Sequence, residues 1–243
     1  MSIPKVIHYC WFGRGELPKL AKKCIKSWKK YCPDYEIICH TEDNFDIGEN
    51  KYAKEAYDAG KWAFVSDYAR LKIIYEQGGI YLDTDVELIK PIDDLLETGF
   101  MGFDDKGIIA TGLGFAAEKG NELVAAFLKD YDDISFINPD GSFDLTPCPD
   151  RNTKMAESLG MDLENKSQEF MGIRFLPQDY LCPMKYDTGK KIITKNTYSI
   201  HHFSASWTSS KAKRTTFIKR VLGVKLYKKL YGKFLYKLNW LEW

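Results

Sequence analysis

Residues 78–87 read GGIYLDTDVE. Three consecutive apolar residues, Ile80, Tyr81 and Leu82, follow a Gly-Gly pair and run straight into Asp83 and Asp85. A strand that is apolar at every position must be covered on both faces, as the central strands of parallel sheets are. Few folds accept such a strand, and an α/β layer structure is the commonest of them.

The flanking patterns agree. Lys5–Trp11 (KVIHYCW) reads as an opening strand, and Glu36–Cys39 as a second. Pro18–Lys30 places Leu20, Cys24, Ile25 and Trp28 near helical spacing with lysines between them. Pro33-Asp34 ends that helix. Tyr52–Ala59 and Trp62–Gln77 read as helices, the second stopped by Gly78-Gly79. Strands are expected at Ile80–Leu82, Phe100–Phe103, Gly114–Ala117, Ile173–Leu176 and Tyr198–Phe203. Helices are expected at Asn121–Tyr131 and Thr153–Leu159. Residues 134–150, rich in Pro, Gly and Asp, read as a long loop. Alternating strands and helices predict an α/β fold with a mainly parallel central sheet.

With 243 residues, 44% of them hydrophobic and 28% charged, the chain can bury a sizeable core. Its net charge of +1 conceals an asymmetry. Residues 211–243 hold ten Lys or Arg against Glu242, a local +9 that leaves −8 for residues 1–210. In residues 215–241, Phe217, Val221, Val224, Tyr227, Leu230, Phe234, Leu238 and Leu241 step by three or four. The expected division is therefore a folded unit over 1–210 and a basic amphipathic helical tail over 211–243. Such a tail either docks on an anionic membrane or completes the core with its apolar face. Its excess of Lys and its aromatic residues favour the membrane. Nucleic acid is not expected, because the body is acidic and no recognition motif is present. No run approaches the ~20 apolar residues of a membrane span. The six cysteines form no C-x-x-C pair, and MSIPKVIHYC has no signal-peptide pattern. Reduced thiols in a cytoplasmic protein are expected.

Asp83 and Asp85 are the first candidates for chemistry. In an extended segment, residues i and i+2 project to the same side. Two carboxylates there, at the carboxyl end of a parallel strand, suit a hard divalent cation such as Mg²⁺ or Mn²⁺. A D-x-D alone also fits a strand that ends in a solvated acidic loop. Upstream, Ser66, Asp67 and Arg70 fall on the predicted helix, with 67 and 70 on one face. Alone, that pair reads as a surface ion pair. Beside a metal site, the three would bind hydroxyls and offset phosphate charge.

In this order, V-I-H-x-x-W-x-G, S-D-x-x-R and G-G-x-Y-x-D-x-D, the motifs resemble those of glycosyltransferase family 32, the DXD-containing sugar transferases. That family includes bacterial capsular polysaccharide enzymes and fungal initiating α-mannosyltransferases. The glucosylating domain of large clostridial toxins is similar in the same elements. The match runs over about residues 3–98, with a weaker echo at 198–207. The resemblance implies a GT-A type fold, a nucleotide-sugar donor with UDP favoured, Mn²⁺ or Mg²⁺, and retention of anomeric configuration. It implies Trp11 as the platform for the base, and Ser66, Asp67 and Arg70 as donor contacts, the last two near the sugar. Tyr81 would lie beside the nucleotide, Asp83 would meet ribose and metal, and Asp85 would ligate the metal directly. In YSIHHFSASW, related enzymes place a late His on the metal, then a Ser and Trp near the phosphates. His201 and His202 face opposite ways in a strand, so one of them is that ligand. The aliphatic–His step favours His201. Ser206 and Trp207 match the phosphate-facing positions. His8, in the opening strand, reads as a satisfied core residue.

The implied acceptor is a glycan, such as a capsule or surface-polysaccharide intermediate on a polyprenyl diphosphate. The implied location is the cytoplasm, peripherally on the inner face of the plasma membrane. No residue announces itself as a nucleophile by spacing. Asp104, Asp105 and Asp150 are candidates, and the resemblance favours a front-face displacement instead. Two other readings stand beside this one. An apolar strand followed by D-x-D-x-V also opens the haloacid-dehalogenase phosphatases, and a degenerate transferase fold could serve as a membrane-bound scaffold.

Overall fold

The computed structural model describes residues 3–204, 210–222 and 227. It opens with β1 (Val6–Cys10), α1 (Lys19–Tyr31) and β2 (Glu36–His40). Along α1, Ala21, Cys24 and Trp28 are buried and the lysines are exposed, as the apolar spacing requires. Two helices follow, α2 (Lys51–Asp58) and α3 (Trp62–Gln77). α3 has buried residues around most of its circumference, so it is an interior helix that carries Arg70 into the core.

Gly78 and Gly79 turn α3 into β3 (Gly79–Tyr81), with φ of +71° and +101°. A Cβ on Gly79 would lie 2.9 Å from the Val6 carbonyl oxygen. Only glycine lets β3 dock this closely beside β1. The remaining elements are β4 (Val86–Leu88), β5 (Gly99–Gly102), β6 (Phe115–Ala117), α4 (Glu122–Lys129) and α5 (Cys148–Ser158). After them come β7 (Gln168–Phe170), β8 (Ile173–Leu176), α6 (Gln178–Leu181), β9 (Ser199–His201) and α7 (Ser210–Leu222).

Seven strands form one sheet in the order β2-β1-β3-β6-β5-β8-β7. β2, β1, β3, β5 and β8 run one way, and β6 and β7 run against them. The sheet is thus mainly parallel, as expected, and the mixed α/β architecture agrees with a GT-A type fold. The alternation of strand side chains divides the core. Ile7, Tyr9, Ile80 and Leu82 face a layer with Cys24 and Trp28 of α1 and Val86 and Leu88 of β4. Cys10 and Tyr81 face the layer of α2, α3, α4 and α5. A second, two-stranded sheet of β4 and β9 stands apart from the main one.

Several expectations shift in detail. β4 and β7 were not anticipated, since VEL and QEF are short, the first polar at one position and the second at two. α5 begins at Cys148 rather than Thr153, because Pro147 and Pro149 sit at its N-cap and first turn, where proline is tolerated. α7 begins at Ser210, before the tail's apolar stripe. Arg220 anchors it, donating through Nε and Nη2 to the Tyr186 carbonyl at 3.2 and 3.0 Å. Phe217 and Val221, one turn apart, are 67% and 66% exposed, whereas Tyr227 is buried. The rest of the expected tail helix lies outside the described residues. Within the described residues, no helix is long and apolar enough to cross a membrane.

Candidate metal and donor site

The acidic pair does not sit on an extended strand. The Val86 N–H donates to the Asp83 carbonyl at 3.0 Å, so residues 83–86 form a turn between β3 and β4. The two carboxylates converge because the backbone folds, which corrects the i, i+2 argument from strand geometry. β4 then pairs antiparallel with β9, with Val86 opposite His201 and Leu88 opposite Ser199. That pairing delivers a late residue to the turn. Asp83, Asp85 and His201 each offer a ligand atom within 4.8 Å of the others, the one such group of three among the described residues.

Each member is held differently. Asp83 Oδ1 accepts from the Tyr81 hydroxyl at 3.0 Å and pairs with Arg70 Nη2 at 3.3 Å. Arg70 Nη2 also pairs with Asp67 Oδ1 at 2.9 Å, and Arg70 Nε donates to the Ser66 carbonyl at 3.2 Å. Arg70 lies over the Tyr81 ring, 5.2 Å from its centroid. Asp85 Oδ1 lies 3.1 Å from His201 Nε2, and its Oδ2 accepts from the Ser204 N–H at 2.8 Å. Phe203 makes the last contact possible. Its φ of +50° turns the chain back toward Asp85. Its ring stands edge-on to His201, with centroids 4.4 Å apart.

Electrostatics separate the carboxylates. Burial pushes Asp67 up to about 6, outweighing the Arg70 pair, and also raises Asp83. Burial would raise Asp85 as well, but His201 and the Ser204 N–H hold it well below the usual carboxylate range. For His201, burial opposes the charge, and Asp85 beside it nonetheless holds the ring above its ordinary value. Three buried or half-buried carboxylates thus share one guanidinium and one imidazole. That negative excess, offered by hard oxygens and one nitrogen, fits a divalent cation of the Mg²⁺ or Mn²⁺ class. His201 Nδ1 is buried with no hydrogen-bond partner, so the ring's polar contact in this site is made through Nε2.

The other expected residues are placed as follows. Ser66 is half-buried, its hydroxyl donating to the Trp62 carbonyl at 3.1 Å. Tyr81 is fully buried and meets the site through Asp83. Trp11 is half-buried after β1, with Nε1 donating to the Gly15 carbonyl at 2.6 Å. His202 turns to Glu87 Oε2 at 2.8 Å, away from the aspartates. Ser206 and Trp207 lie outside the described residues. His8 is a core residue paired with His40, with its Nδ1 3.0 Å from His40 Nε2. Asp104 caps a turn by accepting from the Lys106 and Ile108 N–H groups, Asp105 accepts from the Tyr186 N–H, and Asp150 is exposed in the first turn of α5.

One residue escaped the sequence reading. Gly112 lies in the 3-10 turn Thr111–Leu113, over the acidic pair. A Cβ there would meet Asp83 Oδ2 at 2.5 Å and an Arg70 guanidinium nitrogen at 3.3 Å. Thr111 is fixed from behind by the buried Asn152, whose Nδ2 donates to its hydroxyl at 3.2 Å. A glycine in ATGLG carries no local sign of this approach.

Comparison with known proteins points the same way. Residues 18–100 match the family described as a glycosyltransferase sugar-binding region containing a DXD motif. Inositol phosphoceramide mannosyltransferase 3 of Schizosaccharomyces pombe is 29% identical over 141 residues, 56% of this chain and 39% of that protein. Inositol phosphoceramide mannosyltransferase 1 of the same organism is 28% identical over 106 residues, 39% of this chain and 32% of that protein. The chain therefore spans well under half of either relative. Among solved structures, the PaToxG glycosyltransferase superposes with a TM-score of 0.46 at 18% identity, over 65% of this chain and 70% of that one. The DXD motif, Asp83-Thr84-Asp85, falls inside the matched region, and these likenesses support a DXD-containing glycosyltransferase.

Proposed function

We propose that this chain moves a sugar from a nucleotide-sugar donor, with UDP favoured, to a glycan acceptor, using Mn²⁺ or Mg²⁺ held by Asp83, Asp85 and His201. The observation that carries this reading is the convergence of those three side chains at the DXD turn of the matched region. A bound cation there would neutralise the diphosphate as it leaves. Asp85 and His201 would hold it from the β4–β9 side, and Asp83 from the turn after β3. Arg70 stays charged between Asp67 and Asp83 and offers its remaining donors to donor oxygens. Asp67, buried and raised toward neutrality, is suited to a sugar hydroxyl. Trp11 provides the stacking face for the base. In a front-face transfer with retention, the bond from the anomeric carbon to phosphate oxygen breaks as the bond to the acceptor oxygen forms. The acceptor's proton passes to the departing phosphate.

The phosphatase alternative needs Asp83 as a free nucleophile. Its Oδ1 is already engaged by the Tyr81 hydroxyl and Arg70, which favours a holding role. The acceptor is proposed to be a capsule or surface-glycan intermediate on a polyprenyl diphosphate, reached at the inner face of the plasma membrane. The +9 tail and the exposed Phe217 and Val221 support a peripheral membrane contact. Co-sedimentation with vesicles containing anionic lipid tests this, and loss of binding in Phe217→Asp is expected.

The test of the chemistry is release of free nucleotide from a panel of UDP- and GDP-sugars, with Mn²⁺ or with chelator. Metal-dependent release from one donor names the sugar. No release from any donor, together with no metal binding by calorimetry, refutes the proposal.

A further inference from the structure

One charged cluster beside the DXD turn takes no part in holding a cation. Glu87 Oε2 receives Lys23 Nζ of α1 at 2.7 Å and lies 2.8 Å from His202 Nε2. Glu87 and His202 are both largely buried on the side of the β4–β9 ribbon away from His201, while Lys23 is more than half exposed. The cluster spans all three segments on which the ribbon half of the site rests: α1, β4 and β9.

The covalent spacing makes the cluster consequential. His202 follows His201 directly, and adjacent residues of a strand project to opposite faces. Fixing the His202 ring on Glu87 therefore fixes the rotation of the strand that presents His201 to Asp85. Glu87 is two residues past Asp85 and stands opposite Ile200, so the same pair sets the ribbon's register. The His202 N–H donates to the Asp85 carbonyl at 3.0 Å, so backbone and side chain of one residue grip the chain on either side of Val86, where the acidic turn leads into β4. The His201–Asp85 contact of 3.1 Å lies on the other face of this clamp.

We infer that Glu87 and His202 are positioning residues, a lock on the outer face of the ribbon that holds Asp85 and His201 in the geometry for a divalent cation. The inference rests on the metal site proposed above. Partners behind metal ligands commonly change affinity by about 10–100-fold when removed. Through-space charge alone would behave differently. Removing Glu87 would weaken cation binding by either route. Removing His202 takes away no negative charge, so it weakens binding only if position matters.

The experiment titrates the full chain with Mn²⁺ alone, by calorimetry and by the electron paramagnetic resonance signal of free Mn²⁺. The variants are Glu87→Ala, Glu87→Gln and His202→Ala, with Asp85→Asn as the site control. Amide hydrogen exchange is read on the same samples at His202 and Ser204, whose N–H groups bond to Asp85. The lock predicts about tenfold weaker Mn²⁺ binding in both Glu87→Ala and His202→Ala. It also predicts faster exchange confined to the ribbon. Unchanged affinity in His202→Ala overturns the inference, whatever Glu87→Ala does. Unchanged exchange in either variant overturns it too. If the unmodified chain and Asp85→Asn take up Mn²⁺ alike, the metal reading itself fails. The inference, which rests on that reading, falls with it. Should Glu87→Ala fail to fold, Glu87→Gln keeps the side-chain volume and carries the same expectation.

Discussion

The two halves of the site are built on different principles. On the sheet side, Asp67, Arg70, Tyr81 and Asp83 come from one helix, the strand after it and the start of the turn that follows, within 17 residues of sequence. One guanidinium is shared between two carboxylates, and burial leaves both of them raised. On the ribbon side, Asp85 and His201 are far apart in sequence and meet only because β4 pairs with β9. There the carboxylate is held low, by an imidazole and a backbone N–H. Local sequence builds a platform in which two carboxylates share one guanidinium, and long-range pairing adds the carboxylate held lowest. On the proposed reading, Arg70 and Asp67 of the sheet side would orient the donor, and Asp83 would join Asp85 and His201 of the ribbon side around the cation.

Removing the platform's cation is the most severe way to break this division. Arg70→Ala leaves Asp67 and Asp83 buried beside each other, at an expected cost of about 3–5 kcal/mol in denaturant unfolding. The matching change on the ribbon side, Asp85→Asn, is expected to lower metal-dependent nucleotide release on the order of 10²–10³-fold, with a smaller loss of stability than Arg70→Ala because an Asn oxygen can still accept from the Ser204 N–H. If Asp85→Asn destabilised the fold as much as Arg70→Ala, the two halves would not differ as described.

Acid should separate the halves as well. Burial pushes His8 and His40 down to about 4 each from 6.5, and their mutual proximity adds to this for His8. The unfolded chain therefore binds more protons than the folded one between about pH 4 and 6.5. Stability that is complete above pH 6.5 is lost as pH falls through 4, by about 3 kcal/mol for a single such histidine. His8 pairs in register with Tyr81 on β3, so the loss falls on the sheet side. Thermal melts from pH 7 to 4 test it, and His40→Gln should flatten the dependence.

Gly112→Ala is a finer probe. The new methyl displaces Asp83 and leaves the ribbon contacts alone, so turnover is expected to fall about 10–100-fold, while exchange at His202 and Ser204 is unchanged. The smallest effect belongs outside both halves. Phe217→Asp, on the exposed face of α7, should change stability by no more than about 0.5 kcal/mol.

Sequence reading reached the sheet side almost intact. Trp62–Gln77 is helical over its full expected length, because a long apolar pattern ending in Gly-Gly is a local signal. Asp67, Arg70 and Asp83 come together as their spacing around that helix and strand suggested. On the ribbon side, the side that His201 takes was legible only through a likeness to other proteins, because neighbouring histidines carry the same chemistry. The turn at 83–86 was read as strand, since DTD has no glycine or proline to mark it. Gly112, Asn152 and the Glu87–His202 pair were invisible, because each acts on a residue remote in sequence. β6 was expected at Gly114–Ala117, but its antiparallel place between β3 and β5 was hidden for the same reason: strand order is a tertiary fact.

The contacts of α1 with β4 have one more consequence. A two-stranded ribbon has two edges, and β9 covers only one edge of β4. On the other, Trp28 Nε1 donates to the Val86 carbonyl at 2.7 Å and the Leu88 N–H donates to Ser27 Oγ at 3.0 Å. Those are the groups with which an incoming strand would pair. Side chains of a lysine-rich helix thus seal the edge against self-association. Trp28→Phe, which keeps a ring but loses the donor, would leave the buried Val86 carbonyl unpaired.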